Sequence, residues 1–455
     1  MAVADDTPPT HQSFPLGIGG DTLVIHITGP SLLTPKVYDL HNGTYITVFT
    51  LVDSGNYRAD VSLRWRSCAA YVFCNVTNTH QPIDFIRKDL EFSVVAASSG
   101  NNNVIKTGQG RWVDVMLGAT LTNTQLDSDN DKYVWVPYNT NTAIHEMLPN
   151  TKIETYFRHK YVLFIGDSLS EHAFHQMLDT FFTGSNGAQQ KKVSFLVNRY
   201  TGKRMKQAWK RDGMSVVYYP PPLDLIFAFV FYPDMFPVGG SKYTRFPLVN
   251  ESVNAVEPIA NVTFRVDEWN VYLQQAMMDE GIRVDGKSIA TPQVPDVVVF
   301  NFGLHFAAPL DPPLYSVLLR HMLMRLAAEF GSGSGNGSDI DSENGKQTQK
   351  TKEKKQNNKR VELVWRSTGW THFEKKELAE KWNCRTPVRT EIMNEIADKL
   401  VSAAGIRYSV DFQSLTSARH DAAPDNRHFS LGNVRQTYNI MLMNTLFDIF
   451  SSSEQ

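Results

Sequence analysis

The residues best suited to chemistry are Gly166-Asp167-Ser168-Leu169, which follow the apolar run Tyr161–Ile165 and precede a stretch of helical spacing. A serine at a strand-to-helix junction lies among the free N–H groups of a helix's first turn, where the dipole favours a developing negative charge. Gly166 suits the tight turn. The same tetrapeptide also reads as a plain helix cap, because Asp and Ser are both good N-caps. A nucleophilic serine needs a base, and the base needs a carboxylate to orient it. Asp425-Asn426-Arg427-His428 offers both, just ahead of the last helix candidate. In such a turn the carboxylate reaches the histidine Nδ1 and leaves Nε2 for the serine. The bland reading is a histidine that caps or packs near that helix. Acyl transfer also needs donors for an oxyanion. The Ser168 N–H is one candidate. The Asn301 amide, in Asn301-Phe302-Gly303-Leu304-His305, is expected to be the second. Gly303 and Asp167 belong to the same oxyanion and substrate set. His305 either shapes an acceptor pocket or is a satisfied structural histidine.

Positioning these groups calls for a sheet whose strands end along one edge, since parallel sheets place functional groups at their carboxyl ends. Four runs are apolar on both faces: Tyr161–Ile165, Leu223–Tyr232, Val294–Gly303 and Arg360–Ser367. They alternate with helical patterns. Leu169, Ala173, Phe174, Met177, Leu178 and Phe181 share a face after Ser168, and further helices are expected over 313–330 and Val434–Phe450. The expectation is an α/β domain with a mostly parallel sheet covered on both sides. The G-x-S-x-G elbow does not fit, because position 170 is Ser.

Upstream, Leu23–Thr28, Tyr45–Leu51 and Tyr57–Trp65 alternate apolar and polar residues, with a further strand expected over 84–97. His41-Asn42-Gly43 and Asp53-Ser54-Gly55-Asn56 supply turns. Short strands at this spacing suggest an antiparallel β-sandwich. Residues 1–20 read as a loose tail and 331–360 as a disordered surface insertion, almost without apolar residues. The expected boundaries are therefore 1–20, 21–105 for the sandwich and 106–455 for the α/β domain.

Charge and composition remove several classes. The chain has 455 residues, enough for two or three domains, and 45 Lys+Arg against 47 Asp+Glu. That balance argues against a general nucleic-acid binder. No apolar run reaches 18 residues, so no transmembrane segment is expected. Three Cys exclude a disulfide scaffold or a Cys-rich zinc module. Cys68 and Cys74 are close enough to pair in an oxidising lumen, or are idle thiols, while Cys384 would stay unpaired. Sequons begin at Asn42, Asn75, Asn250, Asn261 and Asn336, yet the first residues do not read as a signal peptide.

The order GDS, then N-x-G-x-H after a strand, then D-x-x-H before a closing helix, resembles the SGNH/GDSL acyl-esterase fold. Within it the chain is most similar to the PC-esterase family. That family includes trichome-birefringence-like polysaccharide O-acetyltransferases and the neurexophilin-and-PC-esterase-domain proteins. Gly110-Arg111-Trp112-Val113 and Trp135-Val136-Pro137 resemble its G-x-W and W-x-P elements. Val364-Trp365-Arg366-Ser367-Thr368 with His372, then Trp382-Asn383-Cys384, resembles its R-[ST]…H-F…W-N…C segment. The resemblance covers roughly 106–455. The stretches His41–Tyr45, Asp53–Tyr57 and Val61–Trp65 are similar to a filamin-type immunoglobulin-like domain. By position, Ser168 resembles the family nucleophile, His428 its base, Asp425 the orienting residue and Asn301 an oxyanion donor. Phe429 stands where plant members usually carry Trp.

The resemblance implies an O-acetyltransferase or O-acetylesterase that works on carbohydrate or glycoconjugate hydroxyls through an acyl-serine. It implies no cofactor and no metal, with the acyl donor as co-substrate, and a place in the Golgi lumen or outside the cell. Cytoplasmic placement stays open because no signal peptide is seen. Two alternatives stand beside it: a non-catalytic binding protein on the same scaffold, and a lipid or small-ester hydrolase. His172 and His175, near Glu171, have weak metal-ligand spacing. The basic segment Arg199–Gly213, with Trp209, reads as a solvated face or an acceptor-binding surface.

Overall fold

The computed structural model describes residues 20–65, 85–95, 110–114, 132–138, 150–181, 192–198, 213–220, 223–231, 278–279, 283–284, 287–288, 295–304, 312–330, 361–372, 386–430 and 433–452. The expected tail, the 331–360 insertion, all three cysteines, His305, Trp209 and four of the five sequons lie outside these residues.

The N-terminal part is antiparallel. Strands β1 (Thr22–Thr28), β5 (Gly55–Trp65) and β6 (Phe85–Val94) form one sheet in that order. The period-2 pattern of β5 buries Tyr57 and Ala59 against Ile27 of β1. Strands β3 (Val37–Asp39) and β4 (Tyr45–Thr47) make a hairpin. Its turn falls at the expected His41-Asn42-Gly43, with His41 and Gly43 at φ 57° and 80° and the Asn42 side-chain Oδ1 accepting from the Thr44 N–H.

The expected boundary near residue 105 does not separate the sheets. Strand β2 (Ser31–Leu32) pairs with β7 (Gly110–Asp114), which pairs with β8 (Tyr133–Pro137). Arg111 of β7 is tied to Asp53 through Nε and Nη2 at 2.5 and 2.8 Å. On the other side Trp112 reaches into the second domain. It is fully buried, meets Trp135 edge-to-face at 5.4 Å, lies under the Arg419 guanidinium at 4.7 Å, and donates its indole N–H to the Leu415 carbonyl at 2.9 Å. A short run of alternating residues therefore belongs to both halves, which local pattern alone does not reveal.

The second part is mixed α/β. Its strands are β9 (Tyr161–Gly166), β10 (Val193–Asn198), β11 (Gly213–Tyr219), β12 (Leu225–Phe231), β15 (Val297–Phe300), β16 (Glu362–Arg366) and β17 (Tyr408–Val410). They form one sheet in the order β10-β11-β12-β9-β15-β16-β17. A separate two-residue hairpin joins β13 (Arg283–Val284) and β14 (Lys287–Ser288). The four pairings from β12 to β17 are parallel, and the two involving β11 are antiparallel.

The helices cover both faces, as both-sided apolar strands require. Among the described residues they are α1 (Asn150–Tyr156), α2 (Ser168–Phe181), α3 (Pro312–Phe330), α4 (Pro387–Ala403), α5 (Phe412–Ser417) and α6 (Val434–Ser452). Leu163 and Ile165 of β9 face the core made with α3 and α4. Val162 and Phe164 face the core made with α1, α2 and α6. Strand β9 has β12 on one side and β15 on the other, so the chain leaves it in two directions. Such a switch point opens a crevice at the strand carboxyl ends, and Ser168 follows directly.

Trp112→Ala should cost about 3–5 kcal/mol in unfolding free energy by emptying a tightly packed site at the joint between the halves. Chemical denaturation of both proteins checks it, and a loss below 1 kcal/mol would show that the joint is not held there.

Candidate active site

Strand β9 ends at Gly166, and a Cβ there would overlap the side chain of Ser170 in the first turn of α2. The chain can therefore turn tightly into α2. Asp167 caps it: Oδ1 accepts from the Leu169 and Ser170 N–H groups at 3.0 and 3.3 Å. The Asp167 carboxylate is buried and meets Arg366 Nη2 of β16 at 3.5 Å. It is thus a cap and a buried ion-pair partner. The Arg366 guanidinium in turn lies over the rings of Phe412 and Tyr438 at 5.0 and 5.9 Å.

Ser168, 260 positions before His428, has its Oγ 3.0 Å from the imidazole Nε2. The histidine arrives on a turn closed by its own carboxylate. Asp425 Oδ1 accepts from the His428 backbone N–H at 2.7 Å, and Oδ2 meets His428 Nδ1 at 2.5 Å. Asn426 makes the turn possible with φ 67°, a left-handed conformation that Asn tolerates better than most residues. Its carbonyl accepts from the His372 N–H at 2.7 Å, and His372 Nε2 donates to the Thr416 carbonyl at 2.9 Å. The Thr371–His372 segment therefore braces the Asp425–His428 turn from behind. Burial raises the Asp425 carboxyl, but hydrogen bonds from the His428 side chain and backbone outweigh it and hold the group below the usual carboxylate range. An ionised Asp425 can only accept, so Nδ1 carries the proton and Nε2 accepts from the Ser168 hydroxyl.

The expected second oxyanion donor is not aimed at the serine. Asn301 is buried, and its amide donates to the Arg366 carbonyl at 2.7 Å and the Thr368 hydroxyl at 3.2 Å. Both amide hydrogens tie the ends of β15 and β16 together. Gly303 also serves packing, because a Cβ there would overlap the Thr368 side chain. Of the donors anticipated from the sequence, the Ser168 N–H in the first turn of α2 remains.

His172 comes into the site by another route than metal binding. It stands one turn beyond Ser168 on α2, and its ring lies 5.2 Å from that of His428 at an angle of 37°. Burial, then the positive fields of His428, Arg435 and His175, lower its proton affinity. Among the described residues no group of three or more His, Cys, Asp or Glu side chains is placed to hold a metal ion. The i, i+4 relation of Ser168 and His172 was readable in the sequence; Asn426 carried no signal beyond its residue type. Beneath the serine, burial and the nearby Asp167 charge push Glu171 up to about 7.

No family model matches the chain, and no curated protein matches it.

A proton on Glu171 has a thermodynamic consequence. Its folded value of about 7 exceeds the ordinary 4.5. Between about pH 4.5 and 7 the folded chain holds a proton that the unfolded chain releases, so stability falls as pH rises through that window. Glu171→Gln should flatten the fall and leave the protein more stable above pH 7 by on the order of 1–3 kcal/mol. Thermal unfolding of both proteins at pH 5 and pH 8 tests this, and parallel shifts would exclude it.

Proposed function

We propose that the chain is a serine-dependent acyl-transfer enzyme whose α/β part is of the SGNH type and whose N-terminal strands belong to an immunoglobulin-like unit. The observation that carries the activity is the 3.0 Å approach of Ser168 Oγ to His428 Nε2, with His428 Nδ1 on Asp425. That arrangement supports nucleophilic catalysis because each member has a partner that prepares it. Helix-capping alone accounts for Asp167 and leaves the serine–histidine contact unexplained.

In this reading Ser168 Oγ attacks the acyl carbonyl while His428 Nε2 takes the hydroxyl proton. The tetrahedral oxyanion develops at the first turn of α2, where the Ser168 N–H and the helix dipole oppose its charge. Asp425 stays ionised and holds the imidazolium that forms. Collapse of the intermediate breaks the acyl–oxygen bond to the leaving group, which takes the proton from Nε2. The acyl-serine is then attacked by a sugar hydroxyl or by water, whose proton passes to Nε2 and back to Ser168. Transfer to a sugar hydroxyl is the preferred outcome, by the resemblance of the GDS and D-x-x-H elements; hydrolysis of lipid or small esters uses the same steps.

A fluorophosphonate probe should label the protein at Ser168 and should not label Ser168→Ala. Hydrolysis of p-nitrophenyl acetate should fall by roughly three to six orders of magnitude in Ser168→Ala and His428→Ala. Adding oligosaccharide acceptors separates transfer from hydrolysis. Folded protein without Ser168-dependent labelling or turnover would leave a binding protein on this scaffold.

A further inference from the structure

Several cations near the candidate dyad are paired with carboxylates. Asp425 has Arg427, whose Nε lies 3.8 Å from its Oδ2. Asp167 has Arg366. Lys192 meets Asp179 at 3.3 Å, and Arg419 meets Asp421 at 2.9 Å. Arg435 has no carboxylate partner among the described residues. Its Nη2 donates to the Ser430 carbonyl at 3.5 Å, on the turn where the Ser430 N–H donates to the His428 carbonyl at 2.9 Å. The guanidinium is thus hooked to the segment that carries the catalytic imidazole, and its field reaches His172, whose ring lies against that imidazole.

Arg435 is also placed at a cost. It occupies the first turn of α6, the positive end of the helix dipole, and that turn contains no acidic residue. It is half-buried, and loss of hydration disfavours its charge. A guanidinium has five donor hydrogens in a fork that matches carboxylate, sulfate or phosphate. A cation held against the dipole, partly dried and with most donors unclaimed by described residues, fits recognition of an anion better than support of the fold.

We propose that Arg435, hooked through Ser430 to the turn that carries His428, forms a subsite near Ser168 that takes an anionic oxygen group, a carboxylate, sulfate or phosphate, of the acyl donor or the acceptor. The proposal rests on the acyl-transfer reading for its place in a reaction, but anion binding can be tested apart from turnover.

The binding arm uses the full chain carrying Ser168→Ala, titrated calorimetrically with glucuronate and with glucose. Glucuronate should bind more tightly, and more weakly as salt rises. Adding Arg435→Gln should cost about ten- to a hundredfold in glucuronate affinity, and Arg435→Lys less, since a point charge keeps part of the attraction. Arg435→Gln should also raise the melting temperature, because it removes a charge that opposes the dipole; a structural arginine would lower it. The turnover arm compares mono-p-nitrophenyl succinate with p-nitrophenyl acetate, and a glucuronate-bearing oligosaccharide with its neutral counterpart. A ten- to hundredfold loss of preference for the charged ester places the anion on the donor, and loss of preference for the charged oligosaccharide places it on the acceptor. Equal affinity for glucuronate and glucose, unchanged by Arg435→Gln in folded protein, overturns the subsite. If Ser168 proves unreactive while Arg435-dependent glucuronate binding persists, the acyl-transfer reading fails and the anion site stands.

Discussion

The hydrogen bond between Ser168 Oγ and His428 Nε2 depends on two turns supplied by unrelated parts of the chain. One is the exit from β9 into α2, set by Gly166 and capped by Asp167. The other is the Asp425–His428 turn, set by Asn426 in a left-handed conformation and braced through its carbonyl by the His372 N–H. A proton relay fails when its donor and acceptor drift apart by an ångström, so rigidity at both turns matters more than burial of either group. The parallel sheet provides the common frame. β9 at its switch point fixes the serine, and the packing of α2 against α6 fixes the histidine's end of the chain relative to it.

Beneath that contact the protein tolerates an expensive set of groups. Asp167, Arg366, Asn301 and Glu171 are all buried. Two of these charges compensate each other, and the raised proton affinity of Glu171 lets it shed its charge near neutral pH. Asn301 spends its amide on the ends of β15 and β16, while Thr368 fills the space that Gly303 leaves open. The layer is a clamp on the strand ends from which the serine projects. This explains why residue types associated with oxyanion chemistry end up in structural roles. The same N-x-G sequence serves either purpose, and only the direction of the amide decides.

The two halves of the chain are joined by more than a linker. β2 completes a sheet with β7 and β8, Arg111 is anchored on Asp53, and Trp112 spans from that sheet to Leu415 and Arg419. Leu415 and Arg419 lie a few residues before the Asp425 turn. The N-terminal sheets therefore help hold the segment that presents the histidine, and a clean cut at residue 105 would divide one sheet.

What the residues alone determined is local in its physics. Runs apolar on both faces announced β9, β12, β15 and β16 as interior strands, because such segments are stable only when covered on two sides. The spacing after Ser168 announced α2, and the D-x-x-H stretch announced a carboxylate within reach of its histidine. Helix α4 could have been found from Thr386-Pro387, a cap followed by a proline at the first helical position, as the structure has it. What only the tertiary structure decided is relational. Whether Ser168 meets His428, whether Asn301 aims at the serine or at Arg366, and whether His172 faces a metal or an imidazole all depend on distances between segments far apart in sequence. Periodicity and capping act over a few residues, whereas the orientation of one side chain at a sheet's edge is set by every strand and helix packed around it.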